Sequence, residues 1–250
     1  MKVTDINLKR FSKQIVLKKV GVAGQKRIFS SKVLVIGAGG LGSPLILYLA
    51  NSGIGNIGII DDDKIEISNL NRQVLFTTRD VGKLKVVQAK KVIKKINNKI
   101  KVNIYKSNIG KNNIKSIISK FDIICDGTDN FKSRYLINDY CLKYKKRLIS
   151  AAISKFNAQI FNFNFRKKIP CYRCFMPEIP LEQNNCESEG IMSTVAGIAG
   201  ALQAHEVINT ILNNKNVLNG KMLFFDGLKL EFRKIKLSRS SKCIKECIRK

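Results

Sequence analysis

Several things are scarce in this chain, and each scarcity narrows what it can be. Histidine occurs once. His205 lies in mid-helix pattern among Ala and Glu, which reads as a packed or rim residue and not as a catalyst. Long apolar runs are missing, since no stretch reaches the roughly 18 to 20 residues that cross a bilayer, so no membrane partner is expected. The least polar window, 191–202, is rich in Gly and Ala and runs into Gln203, His205 and Glu206; it reads as a closely packed internal helix. No apolar core follows Met1-Lys2-Val3-Thr4-Asp5, so no secretory leader is expected and a cytoplasmic enzyme is. Proline occurs four times, and three of the four fall in one irregular segment, 166–190. Neither an internal repeat nor a linker interrupts the chain. One continuous domain over 1–250 is therefore expected. Acids are outnumbered, 18 against 46 Lys and Arg, for a formal charge of +28. Positive charge by itself supports only non-specific attraction to nucleic acid. The lysines are spread over nearly every predicted helix and loop, and no RNA-recognition signature accompanies them. The charge therefore reads as compositional drift toward Lys, Asn and Ile, and no nucleic-acid partner is expected. Such a field would still draw in an acidic protein.

What is present begins at Val33-Leu34-Val35-Ile36, an apolar run that reads as a buried parallel strand. It enters Gly37-x-Gly39-Gly40-x-Gly42 and then an apolar helical pattern. Glycines at this spacing let the chain turn tightly and bring its backbone against a phosphate or ribose at a helix N-terminus. An acid about twenty residues on should take the ribose hydroxyls. Asp61 stands there, closing a second apolar run, 57–60, and is followed by Asp62 and Asp63. An adenine nucleotide is expected, and the glycines alone leave NAD and ATP both open. Asn69-Leu70-Asn71-Arg72-Gln73 bears on that choice. An NAD site needs no cation here, whereas Arg72 near a ribose could hold a triphosphate oxygen with two hydrogen bonds. Lys85, at the start of the next helical pattern, is a second cation. Asp126-Gly127-Thr128-Asp129-Asn130 follows a strand over 121–125. An Asp at that strand end could hold Mg²⁺ on phosphates, or could cap the following helix.

Helical patterns are expected over 8–17, 24–29, 44–50, 83–96, 112–119, 132–143 and 193–212. Strands are expected over 33–36, 56–60, 101–105, 121–125, 147–151 and 158–165, with a hairpin turning at Asp226-Gly227. Alternation of strands and helices up to residue 152 predicts an α/β, Rossmann-like, doubly wound and mostly parallel sheet. The alternating 158–165 run predicts that this sheet continues into antiparallel strands.

Seven cysteines, an odd count without a leader, argue against a disulfide framework. Cys171-x-x-Cys174 and Cys243-x-x-x-Cys247 are two short-spaced pairs, which suit tetrahedral zinc with every position filled, a structural site. The alternative for the first pair is redox chemistry, although it does not open a helix in a thioredoxin-like unit. Cys186, in a polar stretch, is either a nucleophile or a spare exposed thiol. Cys125 and Cys141 read as core.

Taken together, the glycine loop, Asp61-Asp62-Asp63, Ser68-Asn69-Leu70-Asn71-Arg72-Gln73, Gly127-Thr128-Asp129-Asn130, Cys171-Tyr172-Arg173-Cys174 and the tail pair resemble the ThiF/MoeB/HesA group. These are bacterial relatives of the ubiquitin-activating enzymes. The resemblance runs from about Phe11 to Cys247, and residues 61–78 look closer to ThiF than to MoeB. It implies three parts: N-terminal helices (1–31), a nucleotide-binding half (32–152), and a carrier-binding and zinc half (153–250). It implies ATP lying across Gly37, Gly39, Gly40 and Gly42 with its ribose on Asp61. Asp63, Asn69, Arg72 and Lys85 would serve the nucleotide, Asp129 would hold magnesium, and Cys171, Cys174, Cys243 and Cys247 would hold zinc. The implied reaction adenylates the C-terminal Gly-Gly of a ubiquitin-like sulfur carrier, that of the thiamine pathway or else the small subunit of molybdopterin synthase. Cys186 matches a loop thiol implicated in passing sulfur on. The family forms homodimers with an arginine reaching into the neighbour's site, and Lys13 stands at that position here, keeping the charge without the fork. Gly127 stands where the family has a cysteine, and the tail pair is spaced by three residues instead of two. With no rhodanese-like extension in the sequence, a separate persulfide donor is expected. An NAD-dependent oxidoreductase is the alternative from another class; it would leave Arg72, Asp129 and four cysteines without roles.

Overall fold

The computed structural model describes residues 5–167, 169–178 and 190–240. Two short helices, α1 (Asp5–Arg10) and α2 (Ser12–Ile15), and a longer one, α3 (Gly21–Ser30), precede the sheet. The single helix expected over 8–17 is broken at Phe11. That residue leaves helical geometry to bury its ring edge-on against Phe29, with 5.1 Å between ring centres.

The sheet elements follow in the order β1 (Lys32–Ile36), α4 (Gly42–Ser52), β2 (Asn56–Ile60), α5 (Lys85–Ile96), β3 (Lys101–Tyr105), α6 (Ile114–Ile118), β4 (Ile123–Asp126), α7 (Phe131–Lys143), β5 (Arg147–Ser154) and β6 (Asn157–Asn164). A short helix α8 (Tyr172–Phe175), the long helix α9 (Ser193–Ile211), β7 (Lys221–Asp226) and β8 (Glu231–Lys236) complete the described elements. The strands form one eight-stranded sheet ordered β3-β2-β1-β4-β5-β6-β7-β8. The first five are parallel, and β6, β7 and β8 join antiparallel.

Strand periodicity explains the layers. Val33 and Val35 of β1 point into a core with Leu45, Ile46 and Leu49 of α4, Val86 and Ile93 of α5, and Val207 of α9. Leu34 and Ile36 point the other way, toward Ile117 of α6 and Tyr135 and Ile137 of α7. A sheet covered on both faces needs the near-continuous apolar runs that the sequence supplies. α9 also lays Val195 and Ala199 on Ala158, Ile160 and Phe225 of the antiparallel half. It is closely packed, as its small residues imply: a Cβ on Gly200 would collide with Pro44 and the Leu41 carbonyl at the start of α4. No helix among the described residues is long and apolar enough to cross a membrane.

Candidate active site

Strand order reverses between β1 and β4, and ligands of doubly wound sheets bind at the carboxyl ends beside such a reversal. There the chain opens a cleft of about 840 Å³. Gly37, Gly39, Gly40, Asp61, Asp63, Asn69, Arg72, Lys85 and Asp129 all line it. Residues from four separate stretches of sequence are thus brought to one wall system.

The glycine loop is shaped by backbone requirements. Gly37 has φ of 89°, a left-handed conformation that costs other residues. Gly42 lies behind the cleft, where a Cβ would overlap the Gly37 carbonyl, so it serves the approach of α4 to β1. Asp61 is clamped by two main-chain donors: Ala38 N–H to Oδ2 at 2.7 Å and Asp63 N–H to Oδ1 at 2.9 Å. These bonds fix the carboxylate beside the loop. Its burial nevertheless pushes its pKa above the ordinary aspartate value, outweighing those hydrogen bonds and the Lys85 charge.

The segment after β2 presents the cations. Asn69 ends a 3₁₀ turn, Ile67–Asn69, and its carbonyl accepts from the N–H of Arg72 at 3.2 Å and of Gln73 at 2.9 Å. Arg72 lays its stem over Gly40, and Nη1 donates to Ser68 O and Asn71 Oδ1, both at 3.0 Å. The guanidinium is held in place by Nη1, and its other donors make no hydrogen bond to a described residue. Lys85 opens α5 and is buried, and its ammonium donates to Asp63 Oδ2 at 2.7 Å. The lysine side chain is 7% exposed and the aspartate side chain 64% exposed, so a buried cation is balanced by a carboxylate at the cleft mouth.

The aspartates after β4 have separate fates. Asp126 is fully buried and accepts from Thr128 N and Oγ1, at 3.0 and 2.7 Å, and from Ser150 Oγ at 2.7 Å. Arg134 Nε lies 3.6 Å from it, while Arg134 Nη2 donates to Thr128 O and Ala151 O. Asp126 therefore belongs to the framework. The cap of α7 is Asn130, which accepts from Ser133 N at 2.8 Å. Asp129 is left exposed in the cleft, a hard oxygen donor of the kind magnesium takes. Among the lining residues without a role in the sequence reading are Gln73, which enters there only as the last member of the 68–73 motif, and Arg134. Only their proximity in the fold marks them.

Lys13 is exposed on α2 and does not line this cleft. His205 is exposed on α9, and Cys125 and Cys141 are buried core, where burial raises both thiol pKa values. Cys186, Cys243 and Cys247 lie outside the described residues. Cys171 and Cys174 bracket the start of α8, with Sγ atoms 3.9 Å apart. Zinc–sulfur bonds of about 2.3 Å in a tetrahedron require an edge of about 3.8 Å, so the pair fits zinc. This knuckle is bolted to α7 by Tyr172 N donating to Asn138 Oδ1 at 2.9 Å and by a two-bond Arg173–Asp139 ion pair at 2.8 and 2.7 Å. α8 spans only four residues, unlike the helix a thioredoxin-type pair opens.

A parallel nucleotide sheet extended by antiparallel strands, with an Arg, a Lys and an Asp around its glycine loop, defines a nucleotide-binding enzyme class. The chain belongs to the ThiF family, whose model matches residues 11–245. It is 45% identical to the probable molybdopterin-synthase adenylyltransferase of Porphyra purpurea, over 91% of this chain and 60% of that protein. It is 35% identical to the sulfur carrier protein adenylyltransferase of Thermus thermophilus, over 97% of this chain and 92% of that one. Against several curated relatives the chain spans little more than half the relative's length, 54% to 60%. Among solved structures it is similar to E. coli MccB with ATP, with a TM-score of 0.77 and 26% identity over 96% of this chain and 80% of that one.

Proposed function

We propose that this chain is an ATP-dependent adenylyltransferase that activates the C-terminal carboxylate of a ubiquitin-like sulfur carrier ending in Gly-Gly. The observation that carries the reading is the convergence of Asp61, Arg72, Lys85 and Asp129 on one cleft beside the glycine loop. Asp61, clamped by Ala38 and Asp63, is the acceptor for ribose hydroxyls. Arg72 and Lys85 hold phosphate oxygens, and Lys85 exchanges its Asp63 partner for them. In the reaction a carrier carboxylate oxygen forms a bond to the α-phosphorus, and the bond from that phosphorus to the β-bridging oxygen breaks. The products are an acyl-adenylate and pyrophosphate. The nucleophile is already anionic, so no general base is required. The work of the site is to bring two anions together and offset their repulsion. A magnesium ion held by Asp129 would supply further neutralisation of the leaving pyrophosphate. An NAD enzyme would leave Arg72, Asp129 and the four zinc-spaced cysteines without roles.

The Porphyra relative's name supports a molybdopterin-type carrier, whereas residues 61–78 resemble the thiamine-type enzyme. ATP–pyrophosphate exchange with each carrier side by side tests both. Exchange with one carrier assigns the substrate; no exchange with either, together with tight NADH binding, overturns the reading. Cys171 and Cys174, with Cys243 and Cys247, form the zinc staple of this proposal, and Cys186 is its sulfur-relay thiol. Cys174→Ser should lower bound zinc and melting temperature together; a metal-free wild type that melts normally removes the staple. Lys13 is proposed to reach a neighbouring copy's cleft in a homodimer.

A further inference from the structure

Gln73 is 3% exposed, yet it borders the cleft. Its main chain is fixed, with N–H on Asn69 O at 2.9 Å and its carbonyl accepting from Phe76 N at 3.0 Å. Its side chain is different. Oε1 is fully buried and accepts no hydrogen bond from any described residue. Nε2 lies on the glycine-loop side, 3.8 Å from where a Cβ on Gly39 would stand.

A buried amide with an unpaired oxygen is a poor way to fill space, because methionine of similar volume would leave nothing unpaired. The residue makes sense where a ligand engages its other end. The neighbours indicate which ligand. Arg72 precedes it in sequence, Lys85 lines the same cleft, and the glycine loop runs alongside. These groups offer hydrogen-bond donors, so they suit an anion. The amide nitrogen adds a donor with fixed direction and no further charge.

We infer that Gln73 is a ligand-binding residue of the cleft whose Nε2 donates a hydrogen bond to an anionic phosphate oxygen of the bound nucleotide. The inference rests on the nucleotide reading above and deepens it. Gln73 sets the preference for a polyphosphate ligand over a bare nucleoside, alongside the two cations.

The test is calorimetric binding of a non-hydrolysable ATP analogue, and of adenosine, to wild type, Gln73→Met and Gln73→Glu between pH 6 and 8. Gln73→Met should melt at or above the wild-type temperature and lose affinity for the analogue on the order of ten-fold, with adenosine affinity unchanged. Gln73→Glu should lose more at pH 8 and recover as pH falls, because the introduced carboxyl regains a donor proton. Unchanged analogue affinity in both variants overturns the inference alone. So does an equal, pH-independent loss for analogue and adenosine, the mark of a merely structural role. Failure of wild type to bind the analogue overturns the nucleotide reading, and this inference with it.

Discussion

β4 and β8 belong to one sheet, yet every residue of β4 is buried and every residue of β8 is exposed. The parallel half is covered on both faces, and its strand ends are therefore rigid mounts. Asp61, at the end of β2, and the loop after β4 project from them into the cleft. The antiparallel half ends in a strand that carries Phe232 and Ile235 in the open, beyond a turn with Leu228 and Leu230 also exposed. A rigid base for chemistry and a tolerant flank thus coexist in one hydrogen-bonded structure. Substitutions should reveal that difference.

The largest effect is expected at Asp126. Asp126→Ala leaves Arg134 buried without its carboxylate, which should cost about 3–5 kcal/mol and lower the melting temperature by roughly 10 °C. A small shift would show that the strand ends are less rigid than β4 implies. Next comes Arg72→Ala, which should reduce pyrophosphate exchange by about 10²–10³-fold while the melting curve stays put. Asp129→Ala should behave the same way. Loss of fold in either would blur the line between mount and chemistry.

Asp61 gives a pH-dependent effect of intermediate size. Its folded pKa is raised by burial, so the ionised form is disfavoured in the fold. The destabilisation grows as pH rises through the window from the ordinary aspartate value to the raised one, and is fully present above it. Asp61→Asn removes this titration, so its melting temperature should gain on that of wild type as pH rises through the window, from a lower starting point in acid set by the one main-chain N–H that its single amide oxygen leaves unpaired. Nucleotide affinity should go the other way, falling in wild type as Asp61 protonates and staying low and flat in the variant. Parallel pH titrations of melting and binding check both signs.

The smallest effect belongs to the flank. Leu230 is 75% exposed with φ of 55°, an unfavourable conformation for a branched side chain. Leu230→Gly should raise the melting temperature by a few degrees or less. Destabilisation would show that this turn is packed against something.

The five parallel strands were legible because a strand buried on both faces must be an unbroken apolar run, as at Val33 to Ile36. β8 was not, because Glu231-Phe232-Arg233-Lys234-Ile235-Lys236 is exposed throughout, and burial imposes no pattern on it. The hairpin signal at Asp226-Gly227 marked a turn, but the turn takes four residues, with Asp226 Oδ1 accepting from Leu228 and Lys229 N–H. In the cleft, Asp61, Arg72 and Lys85 were legible because their spacing from the glycine loop carries meaning. Position at the strand end did not separate Asp126 from Asp129, and only the family resemblance pointed to Asp129; in three dimensions Ser150, Thr128 and Arg134 tie Asp126 into the framework and leave Asp129 exposed. Gln73 stood in a motif without a role of its own and Arg134 stood in none, since one amide or one arginine in a polar, basic stretch says little until it is found buried beside a ligand space.

The collision that any side chain at Gly200 would make with Pro44 and Leu41 has a mechanical meaning. Gly190 and Ile191 form part of the cleft rim, and α9 begins two residues later. Seven residues along, that helix rests directly on the start of α4, which carries the glycine loop. The rim and the floor of the cleft are thus two ends of one stiff lever. Because close-packed interiors transmit displacement instead of absorbing it, the carrier tail and the nucleotide proposed above would be seated against one common, stiff support.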